Sequence, residues 1–194
     1  SSKHLLELIN NILDVSKIEA GRVQFVYAPT PVRAMVDDWT TQISVLATDK
    51  QLALKTVVEP QVPPVLKLDK ARVTQIAINL LGNAVKFTDA GTIVLHLQWD
   101  DGLLFLRVTD TGIGIPSHAL GFIFDEFRQV NSTSNRRYEG TGLGLAVVRK
   151  LCNAMGGSVA VRSTVGEGSE FIVTLPAPIV SEADKALIEG RVEI

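Results

Sequence analysis

Two alternating apolar runs, Thr92–Trp99 and Leu103–Thr109, are separated by Asp100-Asp101-Gly102. Period-two alternation on both sides of an Asp-Gly pair predicts a β-hairpin, because the tight primed turns need residues that tolerate positive φ. The same alternation puts one face of each strand in the core and the other toward water. A lone hairpin is marginal in water, so this one must join a larger sheet and be covered by another layer. That excludes an all-helical chain.

The covering layer is legible on either side. Val32 to about Lys50 has helical spacing, with Val36, Ile43, Leu46 and Ala47 as the expected inner face. Asp69 is placed to cap a helix running to about Phe87, with Val73, Ile76, Ala77 and Leu80 inward. Gly142–Met155 reads as a third helix, closed by Gly156-Gly157. Short strands are expected at Val23–Tyr27, before the Pro29-Thr-Pro31 pair, and at Leu52–Val58, bounded by Pro60, Pro63 and Pro64. A last strand pair, Ser158–Ser163 and Glu170–Leu175, flanks Gly166-Glu-Gly168. The fold class expected is α/β: a two-layer sandwich of a mixed, mostly antiparallel sheet covered by helices on one face. No internal repeat or low-complexity tract interrupts it.

Before this unit, Leu5, Leu8, Ile12 and Val15 recur at heptad-like intervals, widened by Ile9, and Gly21 is a natural stop. A helix this short needs a partner for its apolar stripe. The partner is either its own domain or the other half of a helix pair. Residues 1–21, 22–176 and 177–194 are therefore read as a partial dimerisation-type helix, one globular domain, and a linker or the start of a further module. The opening Ser1-Ser2, without Met, reads as a piece of a longer protein.

Composition narrows the function. Nineteen Lys and Arg against 21 Asp and Glu leave a net charge of −2 over 194 residues, which argues against a nucleic-acid binder needing a basic face. The single Cys152 excludes an intrachain disulfide framework and a multi-cysteine zinc site. No apolar run approaches membrane-spanning length. A soluble domain of a reducing compartment is expected.

Three segments carry chemistry. Asn79, Asn83 and Lys86 sit at i, i+4 and i+7, on one helical face. Amide oxygens suit Mg²⁺ held partly by phosphates, and the lysine can reach a phosphate; the trio also fits a merely solvated face. Asp110 continues the phase of Leu104, Leu106 and Val108, so its carboxylate points coreward at a strand end, before Thr111-Gly112-Ile-Gly114-Ile-Pro116. A buried carboxylate must be paired, and here it is a good acceptor for an amine such as that of adenine, or else a turn cap. Gly140-Thr141-Gly142-Leu143-Gly144-Leu145 opens a helix whose free N–H groups can bind phosphate. Its spacing is neither a P-loop nor the dinucleotide fingerprint. Residues 111–141, poor in periodic apolar positions, read as a functional loop.

In this order the segments resemble the catalytic ATP-binding domain of sensor histidine kinases, in the superfamily shared with gyrase B and Hsp90-type chaperones. Asn79–Thr88 is similar to the family's N box, Asp110–Pro116 and Gly140–Leu145 to its two glycine boxes, and Phe124-Asp-Glu-Phe127 to its F box. Gly166-Glu-Gly168-Ser169-Glu-Phe171 resembles its final glycine turn, with Ser169 where Thr is more usual. Leu5–Gly21 is similar to the second dimerisation helix. The resemblance spans about residues 1–176 and implies a Bergerat-type fold, with ATP and Mg²⁺ as cofactors.

Carried over, Asp110 would bond the adenine amine, with Gly112, Gly114 and Ile115 at the base. Asn83 would hold Mg²⁺ with Asn79 beside it, and Lys86, next to Phe87, would contact phosphate. Phe124 and Phe127 would anchor a lid, Asn131 to Glu139, expected to be mobile without nucleotide and ordered with ATP and Mg²⁺. Arg136 or Arg137 would reach the γ-phosphate. Catalysis would rest on Asn79, Lys86, Arg136 and Arg137. Where the superfamily's hydrolases carry a glutamate to activate water, this chain has Asn79, which cannot serve as that base; transfer to a protein is favoured over hydrolysis.

The three histidines, His4, His96 and His118, do not match the family's phosphoacceptor, so no acceptor is expected in this chain. A response-regulator receiver and, in the whole kinase, a homodimer partner are implied. So is a cytoplasmic location in an inner-membrane sensor, with membrane contact only through parts outside this chain. The acidic stretch after Pro176 reads either as the lead into a receiver, as in hybrid kinases, or simply as the end of the piece. Two other readings remain: a degenerate, nucleotide-sensing module, and an ATPase or serine kinase of the superfamily.

Overall fold

The computed structural model describes residues 2–128 and 141–189. In chain order it contains α1 (Ser2–Glu19), β1 (Ala28–Pro31), α2 (Val32–Asp49), β2 (Ala53–Val58), β3 (Val65–Leu68), α3 (Lys70–Phe87), β4 (Thr92–Asp100) and β5 (Leu103–Asp110). A 3₁₀ turn (Ser117–Ala119), α4 (Gly144–Ala154), β6 (Ser158–Thr164), β7 (Gly168–Pro176) and α5 (Glu182–Glu189) follow. Five strands form one sheet in the order β2-β4-β5-β7-β6, with β2 parallel to β4 and every other pairing antiparallel. The expected mixed, mostly antiparallel sandwich is what forms.

The hairpin turns at Asp101 (φ 44°) and Gly102 (φ 82°), and Asp100 pairs with Leu103 across it. Two consecutive positive-φ residues match the right-handed twist of the strands. Ile93, Leu95 and Leu97 of β4 and Leu104, Leu106 and Val108 of β5 are buried on the face that meets the helices. Against them α3 buries Val73, Ile76, Ala77, Leu80, Leu81, Ala84 and Val85. Helix α2 buries Val32, Met35, Val36, Trp39, Ile43 and Ala47. Leu46, expected inward, is half exposed; the stripe instead runs through Trp39, whose indole N–H donates to Thr74 Oγ1 at 2.9 Å.

The strand expected at Val23–Tyr27 does not form. The pairing segment is Ala28–Pro31, antiparallel to β3, which the proline-rich context had concealed. Ala28 and Thr30 face Leu68 and Leu66, and the Val32 N–H donates to Pro64 O at 2.9 Å, so even positions face β3. Pro29 and Pro31 fall on the odd, unpaired side, where a missing N–H costs nothing. Helix α4 begins at Gly144, two residues later than expected, because Gly142 holds φ +69°, outside the helical region.

Gly21 (φ +63°) ends α1 as expected, with Gly21 and Arg22 N–H groups returned to Ile18 and Lys17 carbonyls. The C-terminal half of α1 docks on its own domain: Val15 is buried and Ile18 packs on the core. Asp14 accepts from Gln75 (2.7 Å) and Arg72 (3.4 Å) of α3, and Glu19 pairs with Lys150 of α4 at 2.6 Å. Leu6, Ile9, Ile12 and Leu13 stay exposed. Beyond β7 the chain remains attached. Ala177 and Val180 are buried, the Trp99 indole donates to Ala177 O, and Ile179 bridges to Leu66. Helix α5 starts with a Ser181–Asp184 capping pair whose carboxylate also holds Lys67 at 3.2 Å.

Asp69 joins two of these segments. Its Oδ1 accepts the Arg72 N–H at 3.0 Å, the expected cap, and its Oδ2 accepts the Val26 N–H at 2.8 Å, holding the irregular segment after α1. Asp69 is 4% exposed, so Asp69→Ala strands two donors. It should cost about 1–3 kcal/mol, a fall in Tm of several degrees for a chain of this size, measurable by calorimetry.

Candidate nucleotide-binding site

The polar rim of α3, the end of β5 and the start of α4 converge. Asn79, Asn83, Lys86 and Phe87 are all partly buried along one side of α3. The Asn79 amide donates to Gln75 O at 2.9 Å, which turns its carbonyl oxygen outward toward Gly144 at the start of α4. A Cβ on Gly144 would stand 2.8 Å from that oxygen, so any side chain there would push the Asn79 amide aside. The Lys86 ammonium lies 4.9 Å from the centre of the Phe87 ring.

Asp110 lies where the alternation places it: coreward, 6% exposed, at the last position of β5. Its Oδ1 accepts the Gly112 N–H at 2.8 Å, and the Ser169 N–H also donates to the carboxylate. Burial, the larger effect, pushes this carboxyl up from the ordinary carboxylate range; the two N–H groups oppose it. The turn after Asp110 is packed tightly on its neighbours. A Cβ at Gly112 would meet Phe87 O at 2.3 Å, one at Gly114 (φ +70°) Thr164 O at 2.1 Å, and one at Gly168 the Asp110 carbonyl at 1.9 Å. The Ile113 N–H donates to Phe87 O at 3.1 Å, and Gly166 N–H to Ile113 O at 2.9 Å.

One member was not foreseen. The Ser163 hydroxyl accepts the Ile115 N–H (2.8 Å) and lies 2.8 Å from Gly168 O and 2.9 Å from the Ser169 hydroxyl, tying the turn after Asp110 to β6 and β7. Its only sequence signal was a polar residue in phase with β6. Thr88, fully buried beside Phe87, has a hydroxyl without a hydrogen-bond partner among the described residues.

The two phenylalanines divide their work. Phe124 is buried and meets Phe171 edge-on at 6.3 Å, with the Arg149 guanidinium 5.7 Å from its ring. Phe127 is 62% exposed at φ +58°, and its N–H donates to Gly142 O at 3.1 Å. Phe124 thus roots the segment in the core, while Phe127 links it to the second glycine cluster. Thr141 Oγ1 accepts the Leu143 N–H at 3.2 Å, and Leu143 is buried as α4 begins. Gly140, Arg136 and Arg137, with the stretch Asn131 to Glu139, lie outside the described residues. His96 pairs with Glu59 at 2.7 Å on the opposite sheet face, and His118 sits in the 3₁₀ turn; neither joins the site.

A family profile described as histidine kinase-, DNA gyrase B-, and HSP90-like ATPase matches residues 68–179, more than half of the chain. The chain is 42% identical over 190 residues to the sensor histidine kinase RcsC of Escherichia coli strain K12, covering 98% of itself and 20% of that protein. It is 40% identical over 184 residues to hybrid signal transduction histidine kinase B of Dictyostelium discoideum, covering 92% of itself and 9% of that protein. Among solved structures, full-length ShkA in complex with AMPPNP superposes with a TM-score of 0.82 at 34% identity, over 92% of this chain and 37% of that one. The chain thus spans a fifth or less of these two curated relatives.

Asp110 also sets a measurable pH dependence. A carboxyl whose folded value is raised costs nothing in acid, where both states are protonated, and costs stability as pH rises through its folded value. Without ligand, Asp110→Asn should melt at or above the wild-type temperature at pH 7–8. The gap should close as pH falls below the ordinary carboxylate range. Thermal melts across that range check it.

Proposed function

The chain belongs to the histidine kinase-, DNA gyrase B- and HSP90-like ATPase family, and from that premise we propose that it is the ATP-binding catalytic domain of a sensor histidine kinase. One observation carries this reading: a buried carboxylate, Asp110, closes a strand directly beside a glycine turn, with an Asn/Asn/Lys helix face and a helix N-terminus opposite. That set suits a ligand with an exocyclic amine at one end and phosphates at the other.

In this reading the Asp110 carboxylate accepts the adenine amine, and Gly112, Gly114 and Ile115 present backbone to the base. Lys86 and the N–H groups opening α4, at Gly144 and Leu145, neutralise phosphate charge, as phosphoryl transfer requires. The Asn79 oxygen, already turned toward Gly144, and the Asn83 amide fit Mg²⁺ only in company with phosphates and water. Among the described residues no cluster of three or more His, Cys, Asp or Glu exists to hold a metal alone. Bound Mg²⁺ would supply charge neutralisation at the phosphates. Arg136 or Arg137 is proposed to contact the γ-phosphate. Asn79 offers no base for water, which favours transfer: the γ-phosphoryl leaves the β–γ bridging oxygen, releasing ADP, for the unprotonated nitrogen of a neutral imidazole, and the other ring nitrogen gives up its proton.

The proposed acceptor is a histidine on another dimerisation helix, outside this chain, and the phosphoryl group passes on to an aspartate of a receiver. A homodimer through α1 and its counterpart, a hybrid arrangement with a receiver after α5, and a cytoplasmic location complete the proposal. Residues 1–21, 22–176 and 177–194 are its proposed divisions. No helix among the described residues is long and apolar enough to cross a membrane.

Two measurements test it. Asp110→Asn should weaken ATP binding on the order of 10- to 100-fold, the worth of a buried charge-assisted hydrogen bond, by calorimetry. Labelled ATP with a separate histidine-bearing dimerisation helix should give acid-labile phosphate on that helix, and Asp110→Asn should abolish it. Acid-stable phosphoserine, or tight ATP binding with no transfer, would sink the kinase assignment.

A further inference from the structure

The C-terminal end of α3 is accounted for by two groups. The last carbonyls of a helix lack intrahelical partners, and buried ones need another donor. Lys50, the residue that closes α2, extends its ammonium to two of them, Val85 O at 2.8 Å and Lys86 O at 3.0 Å, and to Thr88 O, just past the helix, at 3.2 Å. The carbonyl between, Phe87 O, takes the Ile113 N–H at 3.1 Å. An ammonium has three donors and no acceptor, and a cation is favoured at the negative end of a helix. Asp89 lies 4.0 Å from the same nitrogen.

This arrangement has a direction. Holding the Lys86 and Thr88 carbonyls fixes the peptide planes before and after the Phe87–Thr88 peptide, and so restricts the line along which the Phe87 carbonyl points. That carbonyl receives Ile113 and sits where a Gly112 Cβ would be 2.3 Å away. Gly112 N–H in turn donates to Asp110 Oδ1 at 2.8 Å. We propose that Lys50 is a positioning residue for nucleotide binding: it touches no ligand, but sets the register between the Asn83–Lys86 turn of α3 and the Asp110–Gly114 turn that grips the base. The inference rests on the ATP reading above.

The test is Lys50→Met in the 194-residue chain, with two readouts. In the nucleotide-free chain, the Ile113 amide should exchange roughly tenfold faster, while the Thr111 amide, bonded to Thr92 O at 3.2 Å, should not change. Affinity for ATP and for ADP, well below the melting temperature, should fall by a similar factor of roughly 5–10, because the base turn is common to both. Lys50→Arg, which keeps charge and reach, should restore most of both.

Trp39→Phe is the comparison, since it removes a core hydrogen bond away from the site. It should lower Tm and leave affinity alone. Unchanged affinity and unchanged Ile113 exchange in Lys50→Met would overturn the proposal. So would an affinity loss matched by Trp39→Phe, which would make the effect general destabilisation. If Lys50→Met does not fold, Lys50→Gln, still a donor but uncharged, is read in the same two ways. A wild-type chain that binds neither nucleotide would instead remove the ATP reading on which the proposal rests.

Discussion

Helix α3 lies on the β4–β5 hairpin with seven side chains buried, and this packing holds its polar rim at a fixed height above the strand that ends in Asp110. Each large apolar side chain removed from water there contributes roughly 1.5–3 kcal/mol, so sliding the helix by a turn is far costlier than any polar contact at its rim. The rim residues inherit that rigidity. Asn79 meets the start of α4, Phe87 O meets Ile113, and the Asp69 carboxylate closes the other end. A site that must present separate groups to the two ends of one ligand gains from having them on a single packed element.

The site also runs against stability, in a way that fits a binding role. Asp110 occupies a position where the alternation of β5 calls for an apolar side chain, and burial resists its charge. Two backbone donors satisfy it only in part. Glycines at 112 and 168 let neighbouring backbone approach so closely that no side chain would fit. Those costs meet where the end of β5 packs on Phe87 and the start of β7, and the hydroxyl of Thr88, next in the chain to Phe87, is buried without a partner among the described residues. An element optimised for folding alone would hold none of them.

Helix α1 is tied differently. Its last two turns rest on the domain through Val15 and Ile18, and through carboxylates held by Arg72, Gln75 and Lys150. Of the earlier turns, Leu6, Ile9, Ile12 and Leu13 remain exposed. The C-terminal end packs on its own domain, and the rest presents the kind of face that a second helix covers.

The alternation around Asp100-Asp101-Gly102, the Asp69 cap, the Asn79–Asn83–Lys86 face and the coreward phase of Asp110 were determined by the sequence itself. Each depends on residues a few positions apart, where spacing dictates direction. The order of the glycine clusters was legible for the same reason, and with it the family resemblance. Three features were decided only in the tertiary structure. Ala28–Pro31 became a strand because Leu66 and Leu68, far along the chain, offered a partner that left both prolines unpaired. Ser163 joined the turn after Asp110 because β6 lies beside β7. Lys50 found three carbonyls at the end of a helix that closes more than thirty residues later, two within it and one just past it. Such contacts carry no local period: a donor's partner is set by which acceptors the packed core leaves unsatisfied, and that is known only once the layers have closed.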